Sequence, residues 1–181
     1  LPQTKEVLRV AIYRLSAKII SRSEGRSIVA AAAYRSGSRL HDERYGEVRD
    51  YTDRSGVLHT EIIAPENTPA WMLNREDLWN AIEAVERRKD SQLAREVLLA
   101  FPHELSDQDR LELARRFVTE QFVSQGMIAD IALHAPDHQG DARNYHCHVL
   151  LTMRDLAGDG FGQKNRDWND KEQLEHWLSL I

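Results

Sequence analysis

Two histidines separated by one residue offer a pair of metal-binding side chains in the second half of the chain. His146 and His148 lie in residues 144–153, an apolar run with the composition of a buried strand. Residues i and i+2 of a strand point to the same face, so the two imidazoles project side by side while Cys147 faces away. Two neutral imidazoles at this spacing can chelate one divalent ion; the alternative is a pair of ordinary strand histidines.

A third histidine ends a second apolar alternation. Residues 127–134 also have the pattern of a strand, and His134 is its last residue. If the two strands pair across the turn-rich segment 136–141, His134 reaches the face that carries the other two histidines. An open three-histidine site leaves coordination positions for water or a substrate oxygen, as catalytic metals require. His138 is the rival third ligand, ranked second because a lone histidine in a loop is commonly solvated.

A helix early in the chain carries a tyrosine that could act as a nucleophile. Ser27 is a suitable N-cap for residues 28–36, which include four alanines, and Gly37 ends the helix. Tyr34 then stands one turn beyond small side chains, where another chain could come close. The alternative is an aromatic ring that packs against the sheet.

One carboxylate lies on an apolar strand and needs a partner there. Glu96 shares a face with Leu98 and Ala100 in the predicted strand 94–101. Glu96 could accept the second ring N–H of a metal-bound imidazole, or it could bind the metal itself. The third possibility is that Glu96 lies at an edge of the sheet and its carboxylate reaches water.

The composition predicts a single domain, residues 1–181. The chain is 41% hydrophobic and 29% charged, which is enough to bury a substantial core. We find no run of 18 apolar residues and no signal-peptide pattern, so we expect no membrane insertion and no secretion. The single Cys147 excludes an internal disulfide and argues against a thiolate zinc site. The first residue is Leu1 and the last helix ends on its apolar stripe, which predicts a domain from a longer protein.

Positive charge is concentrated at the start of an acidic chain. Residues 1–40 hold eight Lys and Arg against two Glu, a net charge of +6, which leaves −11 for the remainder of a chain whose total is −5. We expect this basic segment to follow a phosphate backbone, with solvated surface charge as the alternative of equal weight. The residues expected to contact DNA are Lys18, Arg22, Arg26 and Arg35.

These elements predict an α+β domain with an antiparallel sheet of about five strands, helices mainly on one face and the metal site on the other. Two segments are predicted to carry no chemistry: the charged segment 40–55, a mobile loop or ribbon, and the glycine-rich segment 154–164, a flexible loop. The predicted strands are residues 9–20, 56–63, 94–101, 127–134 and 144–153. Predicted helices begin near Ser27, Asn74, Ser106 and Asp170.

Several separated segments, in the same order, resemble the MobA/MobL family of plasmid mobilisation relaxases, especially the TraA type. The resemblance covers nearly the whole chain. This sequence differs from the family pattern at Leu98, where the family often has a second Glu. This difference leaves the exact role of Glu96 open. The matching segments are residues 11–18, 25–37, 93–96, 131–134 and 146–152.

The resemblance implies a bacterial, cytoplasmic endonuclease of the HUH type with a ferredoxin-like or RRM-like palm. It implies Tyr34 as the nucleophile, Glu96 as a nearby acidic residue, and a metal site formed by His134, His146 and His148. The ion expected in use is Mg²⁺ or Mn²⁺, with Zn²⁺ or another transition metal possible as bound. The implied partners are single-stranded origin-of-transfer DNA with an adjacent hairpin, accessory transfer proteins and a coupling protein.

The function expected from this resemblance is site-specific nicking and rejoining of one DNA strand at a plasmid origin of transfer. A metal-assisted tyrosine would form a 5′-phosphotyrosyl intermediate, a transesterification that a 3′-hydroxyl can reverse. Two alternatives stay open. One is a three-histidine zinc hydrolase in which water attacks and Tyr34 is structural, and the other is a non-enzymatic module that binds DNA hairpins in a replication complex.

Overall fold

The computed structural model describes residues 12–181, so Lys5, Arg9 and the predicted start of the first strand lie outside the described residues. Its centre is a five-stranded antiparallel sheet, as the sequence predicts. The strand order across the sheet is β1-β5-β7-β6-β4, which puts the two strands that carry His134, His146 and His148 side by side. These strands are β1 (Arg14–Ser21), β4 (Val57–Ile63), β5 (Gln92–Phe101), β6 (Ala129–His134) and β7 (Tyr145–Leu151).

Two short ribbons extend from the sheet, and the second replaces the loop predicted at 154–164. Gly158, with a φ of 58°, occupies its tight turn, a conformation that glycine adopts without strain. Arg154 and Lys164 anchor this ribbon through ion pairs of 2.7 and 3.2 Å with buried Glu86. The ribbons are β2 (Arg39–Asp42) with β3 (Glu47–Asp50), and β8 (Arg154–Ala157) with β9 (Gly160–Lys164).

Three of the four helices in the described chain begin at side-chain caps. The oxygens of Ser27, Asn74 and Ser106 each accept a hydrogen bond from the backbone N–H three residues later, which satisfies a donor that a helix start leaves free. The helices are α1 (Ile28–Ser36), α2 (Arg75–Val85), α3 (Asp107–Gln121) and α4 (Lys171–Leu178).

The helices cover both faces of the sheet, which differs from the prediction that they lie mainly on one face. Alternate residues of each strand enter two separate cores: Cys147 and Val149 of β7 belong to one, and Leu150 to the other. The first core includes apolar residues of α3 and α4, and the second includes those of α1 and α2. An apolar stripe shows that a helix buries one side, but it does not specify which sheet face the helix covers.

Candidate metal centre

The structure brings the three predicted histidines together on the face of the sheet that α1 shares. His134 lies directly opposite His146 in the β6–β7 pairing, and His148 lies opposite Ala132. The three ring centroids are 4.9 to 5.2 Å apart. One nitrogen from each ring lies within 4.8 Å of the others, a spacing that a single ion can bridge. His138 lies in the β6–β7 loop and does not belong to this group.

Each ring is fixed by a polar group on one side, which leaves the other nitrogen for a metal. The Nδ1 of His146 lies 2.9 Å from the carbonyl oxygen of Asn144, and the Nδ1 of His148 lies 3.3 Å from a carboxylate oxygen of Glu96. The Nε2 of His134 lies 2.6 Å from the carbonyl oxygen of Arg35. Metal-binding histidines usually donate their other N–H in this way, because the bond selects the tautomer and the ring orientation.

Burial disfavours the protonated form of two of the three imidazoles, and the neutral form is the one that binds metals. Burial lowers the pKa of His134 to about 4; the hydrogen bond to the Arg35 carbonyl opposes this shift, and the nearby charge of Arg54 adds to it. Burial likewise lowers the pKa of His146. Protons therefore compete weakly for these two rings near neutral pH.

Glu96 is the charged partner of this centre. Its side chain is buried on β5, where Lys18 Nζ lies 3.1 Å from one oxygen, and Arg35 and His148 donate to the other. Burial alone would raise the pKa of Glu96, but the hydrogen bonds from His148 and Arg35, with the charge of Arg35, hold that pKa well below its usual range. The contact with Nδ1 of His148 supports the first sequence-based possibility, a carboxylate that accepts the second ring N–H.

We expect Glu96→Gln to weaken metal binding about 10- to 100-fold, the usual cost of losing such a supporting carboxylate. The amide keeps the shape, but it lacks the charge that the His148 N–H, Arg35 and Lys18 require. Competition of Mn²⁺ or Zn²⁺ against a chromophoric chelator measures the affinity. Glu61→Gln is the matched control, since Glu61 is a sheet carboxylate paired with Arg115 and His59. Equal affinities in both variants and the wild type would contradict the supporting role of Glu96.

Tyr34 lies in the last turn of α1, with its ring 46% exposed, so it does not pack into the core. The carbonyl of the next residue, Arg35, contacts His134, and this contact brings the helix end to the histidine group. The ring of Tyr51 meets the Tyr34 ring edge-on, with centroids 5.3 Å apart, and the Arg54 guanidinium lies 3.8 Å from the Tyr34 centroid.

The contacts of Tyr51 and Arg54 place two residues of segment 40–55 beside the candidate site, although the sequence predicts no chemistry there. The chain returns across the end of α1, where the Tyr51 N–H donates to the carbonyl of Ser38. Residues 51 and 54 are too far from residue 34 along the chain for a helix or strand periodicity to relate them, so this contact could not be predicted from the sequence.

The structure contradicts the prediction that Arg22 contacts DNA. Its guanidinium is buried and binds the carbonyl oxygens of Glu83, Glu86 and Arg88 together with the Glu83 carboxylate. The group joins the turn after β1 to the end of α2 and is not accessible to a phosphate. A basic segment shows how much charge it carries, but it does not show which side chains reach solvent.

The other three predicted DNA contacts differ in accessibility. The side chain of Lys18 is 56% exposed, on β1, and Arg26 is exposed just before α1. Arg35 is 15% exposed and its guanidinium is engaged with Glu96. Lys18 and Arg26 therefore remain the more accessible of these cations.

No helix in residues 12–181 is both long enough and apolar enough to cross a membrane.

Comparison of the sequence with family models gives a match to the MobA/MobL family over residues 26–178. The chain belongs to the MobA/MobL family. The match spans α1 through α4 and includes all three histidines, so the resemblance inferred from separated motifs is confirmed.

Named MobA/MobL relatives are longer than this chain. The conjugal transfer protein TraA of Agrobacterium fabrum (strain C58) is 39% identical over 165 residues, which cover 86% of this chain and 14% of TraA. The mobilization protein MobL of Acidithiobacillus ferridurans is 40% identical over 172 residues, which cover 83% of this chain and 45% of MobL. The chain therefore spans less than half of the length of either relative.

Two solved structures share the fold. One, described as "Molecular Basis of Vancomycin Resistance Transfer in Staphylococcus aureus", has a TM-score of 0.84 and 34% identity, and the match covers 93% of this chain and 88% of that one. A metal-bound structure of the conjugative relaxase TrwC with oriT DNA has a TM-score of 0.56 and 13% identity, covering 92% and 70% of the two chains. The second likeness shows that this MobA/MobL chain has the relaxase fold.

Proposed function

We propose that this MobA/MobL domain is a conjugative relaxase that nicks and rejoins one strand of plasmid DNA at an origin of transfer. One observation carries the proposal: Tyr34 lies in the last turn of α1, and the carbonyl of the next residue, Arg35, lies 2.6 Å from Nε2 of His134, so an exposed tyrosine and a three-histidine group lie on the same side of the sheet. The conjugal transfer and mobilization proteins among its relatives support the same class of activity.

The proposed reaction is a transesterification at phosphorus. The hydroxyl oxygen of Tyr34 attacks a DNA phosphodiester, an O–P bond forms, and the bond from phosphorus to the 3′ oxygen breaks. The phenolic proton passes to water, to which the ring is accessible, and the departing 3′ oxygen takes a proton from water. The products are a 5′-phosphotyrosyl linkage and a free 3′-hydroxyl. The reverse attack by a 3′-hydroxyl rejoins the strand and restores the tyrosine.

The histidine group fits a divalent ion as the cofactor, because three imidazoles offer one nitrogen each and these nitrogens lie within 4.8 Å of one another. When bound there, a divalent ion supplies charge that stabilises the non-bridging oxygens of a phosphate. We propose Mg²⁺ or Mn²⁺ as the ion in use and a transition metal such as Zn²⁺ as the ion that imidazoles retain through purification. Glu96 keeps His148 oriented, and Arg35 and Lys18 keep Glu96 charged.

The proposed path of the single strand follows the open part of the same face. Residues that are paired across neighbouring strands point to the same side of the sheet. In one such row, Ala100 lies between Arg14 and His146. In another, Leu98 lies between Ser16 and His148. Arg14, Ser16 and Lys18 on the edge strand β1 are exposed. We further propose an adjacent DNA hairpin, accessory transfer proteins and a coupling protein as partners, as the relatives' roles in conjugal transfer and mobilization suggest.

Covalent trapping tests this function against the two alternatives. The protein is incubated with Mn²⁺ and single-stranded oligonucleotides that tile the DNA molecule carrying its gene, then denatured and separated on a gel. A relaxase gives a protein–oligonucleotide adduct on one oligonucleotide. A zinc hydrolase gives cleavage without an adduct. A hairpin-binding module gives neither cleavage nor an adduct, but it retards an oligonucleotide on a parallel native gel. Either of the latter results refutes the proposal.

The strand path predicts a change in salt dependence. We expect Arg14→Gln with Lys18→Gln to flatten the slope of log affinity against log salt by about 1.4, because each phosphate neutralised on a single strand contributes about 0.7 to that slope. Fluorescence anisotropy with a labelled single strand measures the slope. Arg116→Gln is the control, since Arg116 lies on α3, which packs on the opposite face. An equal effect of the Arg116 substitution would show that the strand crosses the other face.

A further inference from the structure

Arg54 holds the ring of Tyr34 from one side. Its guanidinium carbon lies 3.8 Å from the ring centroid, and its Nη1 donates to the carbonyl oxygen of Tyr34 at 2.6 Å. Tyr51 contacts the same ring edge-on at 5.3 Å. Stacking of a guanidinium on an aromatic face is favourable and directional, so the two contacts restrict the orientation of an otherwise exposed ring.

The backbone around Arg54 leads directly to the histidine group. Gly56, two residues later, accepts a hydrogen bond of 2.8 Å from the N–H of Ala135, and Val57 pairs with His134 in the sheet. From the other side, Arg54 donates to the carbonyl of Tyr34 while the neighbouring carbonyl of Arg35 contacts His134. Arg54 therefore contacts the proposed nucleophile and lies close enough to the histidines for its charge to contribute, after burial, to the lowered pKa of His134.

The charge of Arg54 is not neutralised by a carboxylate in the described part of the chain. Its contacts there are the ring and the carbonyl of Tyr34. By contrast, Lys18 and Arg35 both pair with Glu96. Arg54 is half-buried, and a guanidinium in that position attracts anions, with a planar fork that matches two phosphate oxygens.

We propose that Arg54 binds the scissile phosphate and positions the Tyr34 ring against it. The inference rests on the proposed relaxase function for the identity of the anion, a DNA phosphodiester, and on the geometry alone for the presence of an anion site. Under this proposal, Arg54, which follows the β2–β3 ribbon, takes part in the reaction.

Binding of inorganic phosphate tests the anion site without any DNA chemistry. Isothermal titration of phosphate into the Mg²⁺-supplied protein and into chelator-treated protein compares the wild type with Arg54→Gln and with the control Arg116→Gln. We expect Arg54→Gln to bind phosphate at least about 10-fold more weakly, as the removal of a charge-assisted hydrogen bond implies. Arg116→Gln should match the wild type.

The rate of adduct formation tests the role in the reaction. We expect Arg54→Gln to form the Tyr34 adduct about 100-fold more slowly, comparable with the loss of one donor to a developing oxyanion. Arg54→Lys should recover part of the rate, because it keeps the charge but not the planar fork. Metal affinity should not fall in either variant, since Arg54 contacts none of the three rings and its positive charge does not favour a bound cation, and this readout excludes a collapsed site.

The outcomes separate the inference from the function on which it rests. If the wild type binds phosphate through Arg54 but never forms an adduct, the relaxase proposal fails and the anion site stands. If phosphate binds Arg54→Gln as tightly as the wild type, the inference is overturned, whether or not the protein cleaves DNA. An adduct formed at the wild-type rate by Arg54→Gln also overturns it.

Discussion

Tyr34→Phe will abolish the covalent adduct with DNA and leave DNA binding and thermal stability unchanged. The substitution removes only the hydroxyl oxygen, and the phenylalanine ring keeps its contacts with Arg54 and Tyr51. The ring is about half exposed, so the deleted oxygen leaves no buried cavity. Gel separation of the denatured protein after incubation with the cleaved single strand measures the adduct, and anisotropy measures binding.

Three of the other four tyrosines serve as matched controls for Tyr34. Tyr45→Phe, Tyr51→Phe and Tyr145→Phe should each form the adduct, with Tyr51→Phe the most informative because its ring touches that of Tyr34. Peptide mapping of the trapped wild-type adduct gives an independent assignment. A DNA-bearing peptide that contains any other tyrosine would refute the role of Tyr34.

His146→Ala and His148→Ala should each lower strand cleavage by about 10³-fold or more, because ion-based stabilisation of phosphate charge is worth several kcal/mol. Both rings are partly exposed on the sheet, so the domain should remain folded. Cleavage is measured on the trapped oligonucleotide and folding by urea denaturation. Treatment of the wild type with a chelator should reproduce the loss, and added Mn²⁺ should restore activity to the wild type alone.

Two histidines outside the group serve as controls for the metal prediction. His138→Ala tests the rival ligand in the β6–β7 loop, and His103→Ala removes an exposed histidine beside Glu104. Both variants should cleave at the wild-type rate. Normal cleavage by His146→Ala, or by chelator-treated protein, would show that the three histidines do not hold the working ion.

The histidine group could be predicted from the sequence because its geometry is local. The alternation of side chains along a strand is fixed by the backbone, and His134 and His146 are brought opposite each other by a short loop. The caps at Ser27, Asn74 and Ser106 were predictable for the same reason, since a cap spans three residues.

Features that depend on distant residues could not be predicted. Arg22 is buried because its guanidinium binds carbonyl oxygens of residues 83 to 88. Arg54 lies beside Tyr34 because a loop returns across α1. The β8–β9 ribbon is anchored by ion pairs to Glu86 at the far end of α2. Neither charge density nor glycine content contains this information, because each contact joins residues that are far apart in the sequence.

The order of the elements along the chain also sets when a newly made chain acquires its proposed activity. Tyr34 leaves the ribosome 100 residues before His134, whereas the histidines of β6 and β7 follow one another within 15 residues. Synthesis proceeds at about 5 to 20 residues per second, so the tyrosine emerges seconds before the strands that would complete its site. A chain halted after β5 has the tyrosine and Glu96 but none of the three histidines. Under the proposed mechanism, an interrupted translation product of this kind would lack the metal group and could not complete the transesterification.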